Sequence, residues 1–361
     1  MQDINKEIDK FLVLLENTKN ILILGHVLPD GDSIGSSLAL KYLLEYLGKN
    51  VYILSKGIQE KIKNTVDVSG IKEENDKLKN IKLDMVITVD LPKESRINEE
   101  YLDYVKNAEK VVSIDHHMEH EKFGDVNIVE IETATTQIIY KIIRRVVGEK
   151  YEEFKKDEKT REIYLKMMEN IMLGILTDSG GFRHQNTNIL SFEIAKEAKE
   201  ENIDIFNIYR INVIEKSLNE FEMDKITRKR MQLYYGGKIA YSYLCCEDEP
   251  YINRKMGEGE ALVNIGKEIE GVLVTIFTRE VENGFRISVR TNAPYSALNI
   301  AKAFNGGGHE GAAGADIVIS NLESLGKEEK EKLFNYIKEK LILKASFEID
   351  RKDEEMKKGK K

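Results

Sequence analysis

The chain has 361 residues and a net charge of −8, and hydrophobic and charged residues make up 41% and 33% of it. This size and composition predict two folded domains, and the acidic balance makes long nucleic acid an unfavourable partner. Because no apolar run approaches the roughly 20 residues of a membrane span and the N-terminus is unlike a signal peptide, we expect a cytoplasmic protein without membrane contact.

Periodic apolar positions predict alternating helices and strands in the first half of the chain. In chain order these are a helix (4–15), a strand (21–25), a helix (33–47), three strands (51–54, 82–89 and 110–114) and two helices (136–147 and 161–176). Strands separated by helices are typical of an α/β domain with a mostly parallel sheet. The predicted fold class is therefore α/β, with helices flanking the N-terminal sheet.

The sequence pattern changes near residue 236. Beyond it we predict three strands (237–246, 271–280 and 284–292) and a helix (295–303), which indicate a second, smaller α/β domain. The adjacent Cys245 and Cys246 lack the spacing of a redox motif and are expected to be buried in a strand. The predicted parts are a catalytic domain (1–190), a helical connector (191–234), a substrate-binding domain (235–345) and a charged, solvated tail (346–361).

Acidic and histidine residues gather where the predicted elements of the first domain end. They are His26, Asp30 and Asp32 after the first strand, Asp90 after the third, Asp115, His116 and His117 after the fourth, and Asp178 at the end of the helix over 161–176. Singly, each carboxylate has a structural alternative such as a helix cap or a turn. Together they favour one site, because ligands of open α/β sheets bind beyond the carboxyl ends of the strands.

Four carboxylates and two imidazoles at one edge of a sheet predict a metal centre. Mixed ligands of this kind suit a divalent ion such as manganese, and two ions would offset the repulsion among the acids. A pair of ions roughly 3.5–4 Å apart is the usual device for activating water and holding a phosphoryl group. Neighbouring residues of a strand point in opposite directions, so one imidazole of the His116–His117 pair can bind metal while the other faces substrate.

A second motif lies in the smaller domain, where three consecutive glycines precede a histidine. Gly306, Gly307 and Gly308 would let backbone N–H groups approach an anion, and His309 adds a side-chain donor. Upstream, the guanidinium of Arg290 suits bidentate capture of a phosphate. The alternatives are an ordinary tight turn for the glycines and a solvent-facing strand for the arginine.

In this order the motifs resemble those of the DHH phosphoesterases. The resemblance is carried by GHVLPDGDSIGS, Asp90, IDHH and GILTDSGGFRH, and GGGHEGAAG resembles the signature of the associated C-terminal domain. The chain looks similar to the nanoRNase branch, whose members degrade very short oligoribonucleotides and dephosphorylate 3′-phosphoadenosine 5′-phosphate. Small departures at Leu28, Ser33, Ser179 and Thr291 remove none of the implied ligands.

The resemblance also implies a role for each residue. One manganese ion would be held by His26, Asp30 and Asp90, and a second by Asp32, Asp90, His116 and Asp178. His117 would face the substrate phosphate, and Asp115 would orient an imidazole. Arg290, His309 and the glycines Gly306, Gly307 and Gly308 would bind the remaining phosphate or nucleotide.

We therefore expect a manganese-dependent hydrolase that uses water activated by two metal ions to cut short oligoribonucleotides or small phosphorylated nucleotides. A cyclic dinucleotide phosphodiesterase of the c-di-AMP type would use the same centre, and a nucleotide sensor without turnover is an alternative of another class. A pyrophosphatase is disfavoured by the GGGH domain, and a RecJ-type exonuclease by the length and charge of the chain. The oligomeric state, a homodimer included, stays open.

Overall fold

The structure is a computed structural model that describes residues 4–74, 78, 81–245, 248 and 260–358. These residues form two compact units, the first ending at Glu215 and the second beginning at Lys216. The division falls within the predicted connector, and the exact domain boundaries stay a prediction. Cys245 is partly buried directly after a strand, and Cys246 lies outside the described residues.

The first unit is built on a six-stranded sheet. Its strands are β1 (Asn20–Leu24), β2 (Asn50–Leu54), β3 (Ile71–Lys72), β4 (Met85–Val89), β5 (Val111–Asp115) and β6 (Val126–Val129). They lie in the order β3-β2-β1-β4-β5-β6, and neighbouring strands are parallel throughout. The predicted α/β class with a parallel N-terminal sheet is confirmed.

Helices of the first unit cover this sheet. They are α1 (Ile4–Glu16), α2 (Gly31–Tyr46), α3 (Glu60–Lys63), α4 (Leu102–Lys106), α5 (Thr135–Val147), α6 (Tyr151–Lys156), α7 (Glu158–Asp178), α8 (Ile189–Glu200) and α9 (Ile205–Tyr209). Alternate residues of β1 enter two cores: Ile21 and Ile23 pack with residues of α2, α5 and α7, and Leu22 packs on the other face with Tyr101 and Val105. Burial of both faces explains why the strand is apolar throughout.

The strand order decides where the polar motifs meet. β4 lies between β1 and β5, with Leu24 opposite Thr88 and Val89 opposite Ile114. The three strands are parallel, so their carboxyl ends reach the same edge of the sheet. The segments that follow them are therefore brought side by side.

The second unit has a six-stranded sheet of its own. Its elements are α10 (Leu218–Arg230), β7 (Gln232–Tyr234), β8 (Ile239–Leu244), β9 (Val274–Val281), β10 (Gly284–Thr291), α11 (Ala297–Lys302), β11 (Gly307–His309), β12 (Ala312–Val318) and α12 (Lys327–Lys358). The order is β11-β12-β10-β9-β8-β7, antiparallel except for the β8–β9 pair. The expected second, smaller domain is thus observed.

Two features of this unit differ from the sequence prediction. Residues 346–358, expected to be a solvated tail, continue α12, because Ala345 and Ile349 extend a buried stripe that begins at Ile337 and Leu341. Apolar residues of this stripe occur only at every fourth position and are surrounded by charged residues. The helical periodicity is therefore weak in the sequence. The glycine-rich segment, expected to be a loop, contains the short edge strand β11, which pairs with β12.

Within the described ranges, no helix combines the length and the apolar character needed to cross a bilayer.

Candidate metal centre

The turn between β1 and α2 supplies two of the predicted carboxylates. Asp30 is the N-cap of α2, and its Oδ1 accepts the backbone N–H groups of Asp32 and Ser33 at 3.0 and 3.1 Å. Capping satisfies amides that have no partner within the helix. The capping residue is thus Asp30, and Asp32 lies in the first helical turn with its side chain fully buried.

Asp32 points at the start of another helix. Its Oδ2 accepts the backbone N–H of Thr135 at 2.6 Å, and its Oδ1 accepts that of Thr136 at 3.0 Å. The N-terminus of a helix stabilises a nearby negative charge. Gly174 of α7 also lies against this carboxylate, because an added Cβ there would come within 2.5 Å of Oδ1 of Asp32. The site therefore needs a glycine at that position.

Asp90 occupies the centre of the sheet edge. It follows β4 directly, is 2% exposed, and donates its backbone N–H to the carbonyl of Ile114 at 3.0 Å. Its φ of 55° lies in the left-handed region, which residues with a side chain seldom adopt. Such conformations cluster at functional sites, where the surrounding structure enforces them.

His26 contributes its Nε2 atom to this group. Nδ1 of its ring lies 2.7 Å from the carbonyl oxygen of Val27, which can only accept, so Nδ1 carries the proton. Nε2 then faces two carboxylates, at 3.4 Å from Oδ2 of Asp90 and 3.8 Å from Oδ1 of Asp30. An imidazole held through one nitrogen in this way presents the other to a cation.

His116 is held in the same manner. Its Nδ1 lies 3.1 Å from the carbonyl oxygen of Glu132, and its Nε2 lies 3.4 Å from Oδ2 of Asp178 and 3.6 Å from Oδ1 of Asp90. Asp178 is the last residue of α7, which places its carboxylate beside the strand ends.

Three sets of side chains in this region have ligand atoms within 4.8 Å of one another. The sets are His26, Asp30 and Asp90; Asp32, His116 and Asp178; and Asp90, His116 and His117. The structure thus brings together all six residues for which the sequence predicts metal binding, and Asp90 belongs to two of the sets. Their assignment as ligands stays a prediction.

His117 differs from the other two histidines in its partner. Its Nδ1 lies 2.8 Å from Oδ1 of Asp115, which is fully buried and ends β5. Oδ2 of Asp115 has no hydrogen-bond partner among the described residues. The rings of His116 and His117 lie side by side, with centroids 4.5 Å apart, rather than on opposite faces. The strand ends at Asp115, so its alternation does not extend to them.

Crowding of acids sets the electrostatics of the centre. Burial, with the neighbouring Asp32 and Asp30, raises the pKa of Asp90 to about 7. Burial likewise raises the pKa of Asp178 well above its ordinary value. Burial lowers the pKa of His26, but its contacts with Asp30 and Asp90 outweigh this and raise the pKa to about 10.

These pKa shifts indicate that the negative charges of the carboxylates repel one another and need a nearby positive charge to offset them. A divalent cation would provide it, and the donor set of carboxylate oxygens and imidazole nitrogens fits a hard or borderline ion. The residues present therefore fit a metal centre, without fixing which metal it takes.

Several parts of the centre escaped the sequence analysis. The carbonyl of Glu132 and the amides of Thr135 and Thr136 are backbone groups, which leave no trace in residue type. Gly174 lies in an apolar helical run, where the sequence gives no sign that it faces a carboxylate.

The second unit holds a separate cavity of about 510 Å³. Arg290 and the three glycines Gly306, Gly307 and Gly308 line it, together with Arg286, Ser288, Asn305 and Asp316. Arg286 is paired with Asp316 at 2.8 Å, and Arg290 donates Nη1 to the carbonyl of Val289 at 3.0 Å. His309, predicted to join this site, is exposed and is not one of the lining residues.

Two family profiles match the chain. The DHH family, N-terminal domain, matches residues 20–175, and the DHHA1 domain matches residues 236–340. The first match contains five of the six predicted ligands and stops three residues before Asp178, and the second contains the cavity.

Three similar proteins cover most of the chain. The bifunctional oligoribonuclease and PAP phosphatase NrnA of Thermus thermophilus is 27% identical over 299 residues, 82% of this chain and 84% of the relative. The cyclic-di-AMP phosphodiesterase PdeA of Listeria monocytogenes is 24% identical over 86% of this chain, which spans 47% of that protein. The crystal structure of an exopolyphosphatase-related protein from Bacteroides fragilis has a TM-score of 0.77 and 27% identity, covering 95% of this chain and 98% of that one.

Proposed function

The chain carries a DHH domain and a DHHA1 domain and is a hydrolase of the DHH phosphoesterase family, and on this premise we propose that it hydrolyses short oligoribonucleotides to mononucleotides. We include 3′-phosphoadenosine 5′-phosphate among its substrates. The observation that carries the proposal is the cluster of carboxylates and imidazoles around Asp90, with His117 beside it. The similarity to NrnA of Thermus thermophilus over most of both chains supports the choice of substrate.

The centre would hold two divalent ions, for which we propose manganese. His26, Asp30 and Asp90 would bind one, and Asp32, Asp90, His116 and Asp178 the other, so that Asp90 is shared. When bound, such a pair supplies Lewis-acid stabilisation of phosphoryl oxygens and makes water a stronger nucleophile at neutral pH.

His117 would act on the substrate phosphate. Its Nδ1 is held by Asp115, and its side chain is 39% exposed, so Nε2 is the atom left for a ligand. Burial lowers the pKa of His117, but the hydrogen bond to Asp115, together with the charges of Asp115, Asp90 and Asp32, outweighs it and raises the pKa above its ordinary value. A protonated Nε2 can donate to the phosphate or to the leaving oxygen. Asp115 fixes the ring and stabilises its positive charge.

The cavity of the second unit would bind the remaining phosphate or the nucleotide. Its volume of about 510 Å³ suits one small ligand rather than a polymer. Arg290 offers a guanidinium, and the glycines allow close approach to the backbone. With a net charge of −8, the chain suits substrates that carry few phosphates.

A cyclic dinucleotide phosphodiesterase is the second candidate. It is favoured by the similarity to PdeA of Listeria monocytogenes, although this chain spans only 47% of that protein. The two candidates share the metal centre and differ in whether the substrate has a free end. A cytoplasmic location and a homodimer stay predictions.

A panel of substrates tests the proposal. Purified protein with manganese is incubated with a linear diribonucleotide, a 20-mer, 3′-phosphoadenosine 5′-phosphate, cyclic di-AMP and pyrophosphate. We expect rapid turnover of the dinucleotide and the phosphoadenosine and little turnover of the 20-mer. Preferred hydrolysis of cyclic di-AMP supports the second candidate. Hydrolysis of pyrophosphate alone, or binding of nucleotides with no turnover, contradicts the proposal, and the latter outcome indicates a sensor.

A further inference from the structure

The C-terminal half of α12 carries a buried acid beyond residue 340, where the DHHA1 match ends. Glu348 is 5% exposed although it lies in a strongly charged segment. A buried carboxylate needs hydrogen bonds or an opposite charge. Its partners therefore show what the end of this helix does.

Those partners lie at the start of α11. Oε1 of Glu348 accepts the backbone N–H of Ser296 at 3.0 Å, and Oε2 lies 3.4 Å from Nδ2 of Asn299. The hydroxyl of Ser296 in turn caps α11 by accepting the backbone N–H of Asn299 at 3.1 Å. Arg351, one turn further along α12, lies 2.8 Å from Glu348 and offsets its charge.

A second acid of α12 holds the residue just before this cap. The hydroxyl of Tyr295 donates to Oδ1 of Asp353 at 2.8 Å, and Nζ of Lys238 lies 3.1 Å from Oδ2 of the same carboxylate. The segment that enters α11 is thus attached to α12 at two points.

The helix α11 depends on such contacts because it has only six residues. Isolated helices of this length are unstable in water, so neighbouring elements must fix its position. Its first and last turns both contact the glycine-rich segment: Ala297 donates its N–H to the carbonyl of Glu310 at 2.6 Å, and Gly306 donates to the carbonyl of Ala301 at 3.0 Å.

The backbone at Gly306 is so closely packed that α11 has little room to move relative to it. A Cβ at this position would come within 2.2 Å of the carbonyl oxygen of Gly314 and 2.9 Å of that of Ala301. Gly306, Gly307 and Gly308 form one side of the cavity, which we call the glycine wall. The end of α11, this glycine wall and β12 are therefore packed backbone to backbone. A shift of α11 must move Gly306 and its neighbours, which line the cavity.

We propose that Glu348 is a positioning residue for the cavity of the second unit: it fixes α11, and α11 fixes the glycine wall against which the phosphate or nucleotide binds. This role rests on the function proposed above. It assigns a part in substrate binding to the region of the chain that the sequence predicts to be a solvated tail.

Three variants separate this role from a general loss of stability. Glu348→Ala removes both acceptors, Glu348→Gln keeps one acceptor for the N–H of Ser296, and Glu355→Ala is the control. Glu355 is an exposed acid of the same helix, and its pairs with Arg351 and Lys352 are made within α12. Turnover of a linear diribonucleotide, manganese content and amide hydrogen exchange at Ala297 and Gly306 are measured for each.

For Glu348→Ala we expect KM to rise about tenfold, with kcat within about twofold of wild type and manganese content unchanged, since one lost charged hydrogen bond is of this size. Exchange at Ala297 and Gly306 should become faster. In Glu348→Gln we expect KM to rise about threefold and exchange at the same two amides to become faster. Glu355→Ala should match wild type. If Glu348→Ala does not fold, Glu348→Gln decides alone.

A normal KM in Glu348→Gln, or unchanged exchange at Gly306, overturns the positioning role. An equal loss in Glu355→Ala also overturns it, because the effect would then belong to the helix as a whole. If the proposed function is wrong, the wild-type protein itself will not turn over the dinucleotide, which distinguishes that outcome from failure of the positioning role. Amide exchange at Gly306 in the Glu348 variants then still tests whether Glu348 holds the glycine wall in place.

Discussion

Nδ1 of His117 lies 2.8 Å from Oδ1 of Asp115, the residue two positions earlier at the end of β5. Asp115 is fully buried, and within the described residues its Oδ2 has no hydrogen-bond partner. A buried carboxylate with a single partner directs its charge at that partner. The pair therefore fixes the orientation of His117 and favours its protonated form.

Asp115→Asn should lower kcat by about 10- to 100-fold, the usual cost of losing an orienting carboxylate behind a functional imidazole. The amide preserves the size of the side chain but no longer stabilises a protonated ring. Manganese content should stay near that of wild type, because Asp115 is not one of the proposed ligands. Ser113→Ala, two residues earlier on the same strand, is the control and should keep kcat. Loss of metal in Asp115→Asn would show a role in the centre itself.

Asp90→Ala should abolish both manganese binding and turnover, because this carboxylate belongs to two of the ligand sets. Metal content by elemental analysis and turnover of a dinucleotide are measured together. Asp84→Ala is the matched control: it removes an acid just before β4, where Asp84 accepts the N–H groups of Lys19 and Asn20. Turnover retained by Asp90→Ala would refute the shared role of this residue.

Arg290→Ala should raise KM for a dinucleotide about tenfold and leave manganese content unchanged, if the cavity of the second unit binds a phosphate. Arg286 lies on the same strand, and the KM of Arg286→Ala is measured for comparison. We expect a smaller effect there, because the carboxylate of Asp316 offsets the positive charge of Arg286. Equal effects of the two substitutions would contradict a specific role for Arg290.

The sequence predicts the strand ends of the first unit well because a buried parallel strand is a continuous apolar run, and the residue after it is easily recognised. Asp90 and His116 could be found in this way. The backbone groups that complete the centre could not be found from the sequence. The carbonyl of Glu132 and the amide of Thr135 reach it only because distant segments of the chain meet in space. The docked end of α12 was missed for another reason: Ile349 is one apolar residue among many charges, and its burial depends on the surface it meets.

A partly buried acid away from the centre links three tyrosines of the first unit. Glu197 of α8 accepts the hydroxyls of Tyr140 and Tyr151 at 2.7 Å and that of Tyr164 at 2.9 Å. Burial raises the pKa of Glu197, but these hydrogen bonds and the nearby Lys155 outweigh it, so the pKa lies below its ordinary value. The charged form is thus the one that stabilises the fold.

Glu197→Gln should therefore lower the free energy of unfolding at pH 7 by about 2 kcal/mol, the cost of weakening hydrogen bonds to a charged group. A lowered pKa means that this contribution is present above the ordinary value for a glutamate and is lost as pH falls through the lowered value. The difference from wild type should shrink between pH 5 and strongly acidic conditions. Denaturant unfolding across this range, with the exposed Glu193→Gln as control, measures it; a difference that grows with acid contradicts the assignment.

Gly174→Ala sets two effects against each other in α7. Helix propensity alone favours alanine by about 1 kcal/mol. However, the new Cβ would come within 2.5 Å of Oδ1 of Asp32 and 2.4 Å of Oγ1 of Thr136, and overpacking of this kind costs about 1–3 kcal/mol. We expect the second effect to win, with a lower unfolding midpoint and weaker manganese binding, because Asp32 would have to move. Glu162→Ala, on the exposed first part of the same helix, should leave both unchanged. A stabilised Gly174→Ala protein with normal metal affinity would show that Asp32 can shift without loss, and that the close contact is not required by the centre.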